Sequence, residues 1–418
     1  MKWKCKSDPV ILNLNLKFFI SVILFSSLIS PDSNSQQVQE DDYKLSFAYP
    51  GKEIENTISF YTSKSGYETI EATTGKKIKN IETFLLIINE DTLYPEKINT
   101  RGQTTLYYRR KSFSFDLKSK ALFRHGERTE PLKKFFALSL SMDRNYCNNR
   151  LAFEMMETIN LFSLFYSFCE LRIDGQSEGI YMVIERPDDW AMKKKDSPLL
   201  IRRGYNHNID KIITDKSIEK SETKKYCSYY NLIYKCLNKY DGEELYETLS
   251  NWLDINSYMK WLAFNFFVRN GDYTDEVYFY FDPGINKFNI LPWDYDDLFH
   301  PAPHEGNIEN KKLLTDKLIF SAEDKLDKKI AADPYLHKIY LNQLGVILDQ
   351  LSPEVLRKVF ENTYTELYPY YSNNEIIKMS GYDAYKNANI TKLQNDMSSL
   401  YLQLRISRNY YLDLLKSR

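Results

Sequence analysis

Residues 270–299 constrain the fold of this chain more than any other stretch, because their pattern is typical of a β-hairpin. Residues 277–281 (VYFYF) are β-branched and aromatic, as strand residues commonly are. Residues 282–284 (DPG) supply turn chemistry, and residues 287–291 (KFNIL) predict the returning strand. The sequence therefore predicts two short antiparallel strands here.

Acidic residues stand at both ends of this hairpin. Asp272 precedes the first strand, and Asp294, Asp296 and Asp297 follow the second. Because a hairpin brings its ends together, we expect these carboxylates to face one site. Crowded carboxylates repel one another unless a proton or a hard, oxygen-seeking cation such as Mg²⁺ neutralises them. The pattern is compatible with a metal site and also with a surface turn whose acids are solvated.

The composition is that of a folded globular protein. The 418 residues suffice for one large domain or two lobes, and 33 Tyr and 24 Phe supply core material. The 56 basic and 57 acidic residues balance, so the overall charge favours neither nucleic acid nor an anionic membrane as a partner. We therefore expect no nucleic-acid partner.

The N-terminus resembles a secretory signal peptide. Residues 1–6 are basic, residues 18–29 are mostly apolar, and residues 30–35 are small and polar. We therefore expect residues 1–35 to be a signal peptide and the mature protein to be secreted or on the cell surface, without stable membrane insertion. An uncleaved anchor is the alternative. No Cys follows the apolar segment, which argues against a lipoprotein anchor.

Four cysteines remain after such a cleavage, because Cys5 leaves with the signal peptide. An even number of cysteines in an exported chain permits disulfides, and the most local candidate pair is Cys227 with Cys236. Buried thiols at Cys147, Cys169 and this pair are the alternative. The absence of a close Cys-x-x-Cys pair gives a zinc site little support.

The remaining pattern predicts an α+β protein that is β-rich up to residue 186 and mainly helical from residue 187 to 418. Strands are expected at residues 83–88, 111–117, 167–173, 179–186 and 199–204. Helices are expected at residues 143–160, 255–268, 313–330, 334–350, 352–371 and 390–416. Residues 188–230 are highly charged and are expected to be mostly loop.

Two polar elements of the β-rich part suit phosphate. Arg101-Gly102-x-Thr104-Thr105 combines a guanidinium, a glycine that permits close backbone approach, and two hydroxyls. Lys111 begins the next expected strand. An ordinary polar turn and a solvated lysine are the alternatives.

Glu154 lies inside the expected helix at residues 143–160, among mostly apolar neighbours. A buried glutamate needs a cation, which Lys111 or Arg150 could supply. An exposed Glu154 without a specific partner is the alternative.

In their order along the chain, these features resemble the spore-coat-protein-H (CotH) kinase family. The matching segments are Arg101-Gly102-x-Thr104-Thr105 with Lys111-Ser112-Phe113, residues 143–152, Gly179-Ile180-Tyr181 with Glu185, Asn270-Gly271-Asp272, and Pro292-Trp293-Asp294-Tyr295-Asp296. Together they cover roughly residues 80–300. The resemblance implies a bilobal, protein-kinase-like fold, with a β-rich N-terminal lobe at residues 36–186 and a mainly helical C-terminal lobe at residues 187–418.

The resemblance also implies an exported kinase that uses ATP and a divalent metal, Mg²⁺ or Mn²⁺. The residues implied for nucleotide binding are Arg101, Gly102, Thr104, Lys111, Glu154 and Glu185. Lys111 would contact the phosphates and pair with Glu154, and Glu185 would border the adenine pocket. In the acidic hairpin, Asp272 would orient or deprotonate the acceptor hydroxyl, and Asp294 with Asp296 would hold the metal.

One position departs from the pattern of conventional kinases and of some family members. They place a metal-binding Asn five residues after the catalytic Asp, where this chain has Val277, which cannot ligate a metal. Asp275 is near in sequence, but a residue along a strand could point away from the site.

Three functions are compatible with this pattern. The leading hypothesis is an exported, metal-dependent kinase that phosphorylates Ser or Thr of a protein substrate. The second is a kinase-shaped surface adhesion or binding module with weak or no catalysis, which Val277 favours. The third is a metal-dependent hydrolase of surface polysaccharide that uses paired acids.

Overall fold

A computed structural model describes residues 44–49, 51–204, 207–215, 217–303, 316–321 and 323–417. Leu45–Arg418 form one compact unit, and Met1–Lys44 are assigned to a separate one. The expected signal peptide at residues 1–35 lies outside the described residues. Within the described ranges, no helix combines the length and apolar character needed to cross a membrane.

The first sheet has eight strands in the order β3-β2-β1-β7-β8-β6-β5-β4, and only β1 and β7 run parallel. Its strands are β1 (Thr57–Thr62), β2 (Thr83–Ile88), β3 (Asp91–Leu93), β4 (Pro95–Arg101), β5 (Ser112–His125), β6 (Arg128–Leu138), β7 (Tyr166–Ile173) and β8 (Gln176–Glu185). The sheet therefore lies entirely before residue 186.

A second sheet of four antiparallel strands follows, in the order β10-β9-β11-β12. Its strands are β9 (Leu199–Arg203), β10 (Ile209–Thr214), β11 (Val277–Asp282) and β12 (Lys287–Pro292). The last two form the expected hairpin. Its first strand also pairs with β9, so the hairpin is built into a sheet.

Eleven α-helices are assigned in the described residues. They are α1 (Lys64–Ala72), α2 (Asn148–Thr158), α3 (Pro187–Lys194), α4 (Lys220–Lys235), α5 (Gly242–Ser250), α6 (Ile255–Val268), α7 (Lys325–Ala332), α8 (Pro334–Gln350), α9 (Pro353–Tyr371), α10 (Asn374–Ile377) and α11 (Ile390–Lys416). Most lie after residue 186, so the predicted α+β composition is confirmed.

The first sheet has a hydrophobic cluster on each face. Along β8, Tyr181 and Val183 belong to the smaller cluster, which also includes residues of α1. Ile180, Met182 and Ile184 belong to the larger cluster with α2, the second sheet and the C-terminal helices. Successive strand residues point to opposite faces, so β8 joins both clusters. The division into two lobes at residue 186 stays a prediction.

Two expectations for local structure were wrong. Residues 188–230 are mostly loop in the prediction, yet they hold most of α3, strand β10 and the first part of α4. Pro187 occupies the first turn of α3, where proline favours a helix start. The helix expected at residues 313–330 begins only at Lys325; residues 316–318 form a turn, and residues 304–315 lie outside the described residues.

The described cysteines are free thiols. Cys147, Cys169 and Cys236 are buried, and Cys227 is half-buried on α4. The disulfide considered between Cys227 and Cys236 is therefore not formed, and the alternative of thiols holds in this structure.

Candidate active site

The hairpin brings its two ends together as expected. Val277, the first residue of β11, is paired with Pro292, the last residue of β12. Just outside this pair, the Trp293 amide donates to the Glu276 carbonyl at 3.1 Å. Farther out, the Gly271 amide donates to the Asp297 carbonyl at 2.9 Å. The segments that carry Asp272 and Asp294 therefore lie side by side.

Buried amide side chains position Asp272. The apolar helix α6 ends at Val268, and Asn270 follows it with its side chain buried. Asn270 Nδ2 donates to Asn265 Oδ1 at 3.1 Å, and Asn270 Oδ1 accepts from the Asp272 amide at 3.2 Å. The backbone of Asp272 is thus held, while its side chain reaches solvent.

Tyr295 anchors the Asp294–Asp296 segment from the inside. Its ring is buried, its hydroxyl accepts from Trp261 Nε1 at 3.1 Å, and its amide donates to Asn149 Oδ1 at 2.9 Å. Tyr295 therefore fixes the backbone between its two acidic neighbours. Asp294 has a φ of 51°, the left-handed region that Asp tolerates better than most residues.

The predicted acids form one electrostatic group. Burial raises the pKa of Asp294, while the positive charges of Arg101 and Arg202 oppose that rise. Burial, followed by the charges of Asp294 and other carboxylates that include Asp272, raises the pKa of Asp296 well above its usual range. Burial and the neighbouring carboxylates together therefore favour a proton or a cation at this group.

Asp143 belongs to this group, although the sequence did not mark it as a site residue. Its carboxylate accepts from the Asn148 amide at 2.8 Å and from the Asn149 amide at 2.9 Å, at the start of α2. Burial, together with the nearby charge of Asp294, raises its pKa to about 7, against the opposing effect of these hydrogen bonds. Asn148 Nδ2 also donates to the Asp296 carbonyl at 2.9 Å, so the start of α2 packs against the acidic segment.

The turn between Asp272 and β11 supplies further carboxylates. Oxygens of Asp272, Asp275 and Glu276 lie within 4.8 Å of one another, a spacing that could hold a cation. Asp275 precedes the strand, so the expectation that a strand could turn it away does not apply. Glu276 accepts from Arg202 Nη2 at 2.6 Å through Oε1, whereas its buried Oε2 has no hydrogen-bond partner among the described groups.

Glu276 and Arg202 were not predicted as site residues. Glu276 could have been found from its place beside the acidic turn. No local signal marks Arg202, because it lies on β9, more than sixty residues before Asp272. It reaches the site only because β9 pairs with β11, which places Arg202 opposite Tyr278.

Arg101 also reaches the acidic site. It ends β4, and its guanidinium lies 4.0 Å from the ring centre of Phe136 and 5.7 Å from that of Trp293. Gly102 follows with a φ of 98°, and a Cβ there would lie 2.0 Å from Thr105 Oγ1, so this turn requires glycine. Thr104 is exposed at the start of a 3₁₀ turn.

Lys111 is buried against backbone rather than paired with a carboxylate. Its ammonium donates to the carbonyl oxygens of Leu106, at 2.8 Å, and Tyr108. Burial lowers its pKa. The expected ion pair with Glu154 is not formed, because these carbonyls, which close the turn after Gly102, occupy the ammonium.

Glu154 instead pairs with Arg150, the other cation considered. Arg150 Nη1 donates to Glu154 Oε2 at 2.7 Å, and Asn362 Nδ2 donates to Oε1 at 2.8 Å. Arg150 also binds Glu366 through two hydrogen bonds, of 2.8 and 2.6 Å. In this structure, Glu154 therefore helps to join α2 to α9, and its predicted nucleotide role gains no support from these contacts.

Glu185 and Val277 are both buried. Glu185 ends β8, is buried, and accepts from Lys194 Nζ at 2.9 Å. Burial raises its pKa, and the bond from Lys194 opposes that rise. Val277 is fully buried in the core, where its side chain cannot ligate a metal. The adenine-pocket role of Glu185 stays a prediction.

Comparison with known proteins places these residues in a family. The family described as CotH kinase protein matches residues 98–399. Inner spore coat protein H of Bacillus subtilis (strain 168) is 21% identical over 224 residues, which are 50% of this chain and 60% of that protein. The chain thus matches less than two thirds of that relative's length.

A solved structure of the Shewanella oneidensis MR-1 toxin–antitoxin complex of HipA, HipB and operator DNA aligns with 73% of this chain and 66% of that chain. Its sequence identity of 11% and TM-score of 0.29 are too low to support an argument. The family match, by contrast, spans well over half of the residues and includes the acidic hairpin. This chain belongs to the CotH kinase protein family.

Proposed function

We propose that this protein is a metal-dependent kinase that transfers the γ-phosphate of ATP to Ser or Thr of a protein substrate. The observation that carries the proposal is the convergence of Asp272, Asp294 and Asp296 at the ends of one hairpin, with Arg101 beside them. Phosphoryl transfer depends on positioning and charge neutralisation, which acids holding a metal and a guanidinium together supply. A bilobal arrangement and export through residues 1–35 belong to the same proposal.

The donor set fits a hard divalent cation. Mg²⁺ and Mn²⁺ prefer carboxylate oxygens, and the raised pKa values of Asp294 and Asp296 indicate that a positive charge there would relieve repulsion. The buried Oε2 of Glu276 lacks a partner among the described groups and could serve as the further metal ligand that Val277 cannot supply. A bound cation would neutralise the charge that develops on the phosphates.

The residues of the chain divide the remaining tasks. Asp272, whose backbone Asn270 holds, would accept a hydrogen bond from the acceptor hydroxyl and take its proton. Arg101 would contact the phosphates through its guanidinium. Lys111 would act through the turn at residues 102–108, because its bonds to the Leu106 and Tyr108 carbonyls hold that turn closed.

A second candidate is a binding module that has kept the fold without catalysis. Two observations favour it: the Lys111 ammonium is occupied by backbone carbonyls, and Val277 cannot ligate a metal. This candidate predicts that partner binding survives loss of Asp272 and Asp294. The third function considered, a polysaccharide hydrolase, predicts glycan turnover without ATP and gains no specific support.

The experiment is phosphate transfer from γ-labelled ATP to the purified mature chain and to a generic Ser/Thr protein substrate, with Mn²⁺ or Mg²⁺. We expect labelled phosphoserine or phosphothreonine that depends on the metal. The Asp272→Asn and Asp294→Asn variants should transfer phosphate far more slowly, whereas Asp282→Asn, which changes the acid that ends β11 at the far end of the hairpin, should remain active. Absence of both labelling and nucleotide binding in the native protein would refute the kinase proposal.

A further inference from the structure

Two arginines from different sheets reach the acidic site with unused hydrogen-bond donors. The Arg101 guanidinium is held by stacking on Phe136 and Trp293 and donates no side-chain hydrogen bond to any described residue. Arg202 donates to Glu276 through Nη2 and to the Asp275 carbonyl through Nε, at 3.4 Å, while its Nη1 bonds to no described group. The Arg202 side chain is 22% exposed, so a solute can reach it.

A continuous set of contacts links the two arginines. Trp293 lies beneath Arg101 and packs edge-on against Tyr278, with ring centres 5.9 Å apart. Tyr278 is in turn the strand partner of Arg202. Arg101 and Arg202 therefore border the same pair of aromatic rings, Trp293 and Tyr278. The charge of Arg202 lowers the pKa of Arg101, and both arginines lower the pKa of Asp294.

The two arginines lie next to the acids that would hold a metal. Arg101 stacks near Trp293, the neighbour of Asp294, and Arg202 is bonded to Glu276 in the turn that follows Asp272. A metal-bound polyphosphate needs hydrogen-bond donors for its oxygens beside the acids that hold the metal, and guanidinium groups supply such donors.

We propose that Arg202, together with Arg101, contacts the phosphate groups of the nucleotide. This proposal rests on the kinase function proposed above and adds a residue of the second sheet to the nucleotide site. The open Nη1 of Arg202 and the unused donors of Arg101 bind phosphate oxygens as charge-assisted hydrogen bonds. Lys111, with its ammonium on the Leu106 and Tyr108 carbonyls, supports the turn beside Arg101 instead of contacting phosphate.

The test is calorimetric titration of the native chain and three variants with ATP and with adenosine, each in the presence of Mn²⁺. Arg202→Gln should weaken ATP binding by about tenfold or more, because a charge-assisted bond is lost, and leave adenosine binding unchanged. Arg202→Lys should recover part of the ATP affinity, since lysine keeps the positive charge but lacks the planar guanidinium group with its several N–H donors. The control Arg128→Gln removes an arginine that pairs with Glu157 and should change neither ligand's affinity.

The outcomes separate this inference from the kinase proposal. If the native chain binds neither ATP nor adenosine, the kinase function itself fails, and the inference fails with it. If the native chain binds ATP and folded Arg202→Gln binds it equally well, the inference alone is wrong. If Arg202→Gln does not fold, Arg202→Lys provides the test. An unchanged ATP affinity would overturn the role of the Arg202 guanidinium group, and a loss of affinity for ATP but not for adenosine would support it.

Discussion

Replacing Arg150 by Met should destabilise the protein through the junction of α2 and α9. The Arg150 side chain is 2% exposed and binds Glu366 through two hydrogen bonds and Glu154 through a third. Removing one partner of a buried ion pair costs about 3–5 kcal/mol, because the remaining charge stays buried. Glu366 and Glu154 retain some contact with water, so we expect the lower end, about 3 kcal/mol.

The assay is urea unfolding followed by tryptophan fluorescence, for the native chain, Arg150→Met, Glu366→Gln and the double variant. Because the two side chains touch, we expect a coupling free energy of about 2 kcal/mol, within the range measured for contacting residues. The matched control is Arg128→Met, because Arg128 is 42% exposed and its partner Glu157 is 30% exposed, so that its loss leaves no buried charge and should cost less.

The pH dependence of the same variants provides a second reading. Burial alone would raise the pKa of Glu366, but Arg150 and then His125 lower it well below its usual range. A depressed pKa contributes stability above the unfolded-state value of about 4.3 and loses it as the pH falls toward the folded value. Arg150→Met should therefore show a weaker loss of stability below about pH 5. If the free energy of unfolding of Arg150→Met lies within about 0.5 kcal/mol of the native value at neutral pH, this role of Arg150 is refuted.

The site allows three further tests. Asp272→Asn should lower kcat for phosphate transfer by about 10²-fold or more and leave the Kd for ATP unchanged, because only proton transfer and acceptor orientation are lost. Steady-state kinetics and calorimetry measure the two constants, and a loss of ATP affinity as large as the loss of kcat would contradict this role. Gly102→Ala should destabilise the protein more than Gly126→Ala in thermal unfolding, since both have positive φ but only the first meets a side chain; equal shifts would show that the turn relaxes freely. Mn²⁺ should bind more weakly as the pH falls through the raised pKa values of Asp294 and Asp296, because protons compete with the metal for the same carboxylate oxygens. A Mn²⁺ affinity that calorimetry finds to be independent of pH would contradict the assignment of these two residues as ligands.

The parts of the fold that sequence predicted well are those specified locally. The helix at residues 255–268 and the hairpin strands agree with the structure because the apolar pattern and the turn residues lie within each element. The convergence of Asp272 with Asp294 follows from the hairpin alone. Helix α4 was not predicted, because its first turns are rich in lysine and show no apolar pattern. Its buried residues, such as Tyr230 and Ile233, lie only near its end.

The parts that sequence did not predict depend on distant packing. The cation for Glu154 was left between Lys111 and Arg150, and the choice is settled by Glu366, which lies more than two hundred residues along the chain. Lys111 is occupied by carbonyls of a 3₁₀ turn that no periodic pattern announces. Arg202 enters the site only through the pairing of two strands that are far apart in sequence.

We propose above that the ends of the hairpin form one site for a metal and a nucleotide. The most direct measurement is a crystal structure of the protein with Mn²⁺ and a non-hydrolysable ATP analogue, with the metal located by anomalous scattering. We predict a manganese peak within coordination distance of carboxylate oxygens of Asp294 and Asp296, with phosphate oxygens on Arg101. A peak held only by Asp272, Asp275 and Glu276, or a nucleotide bound elsewhere, would contradict it.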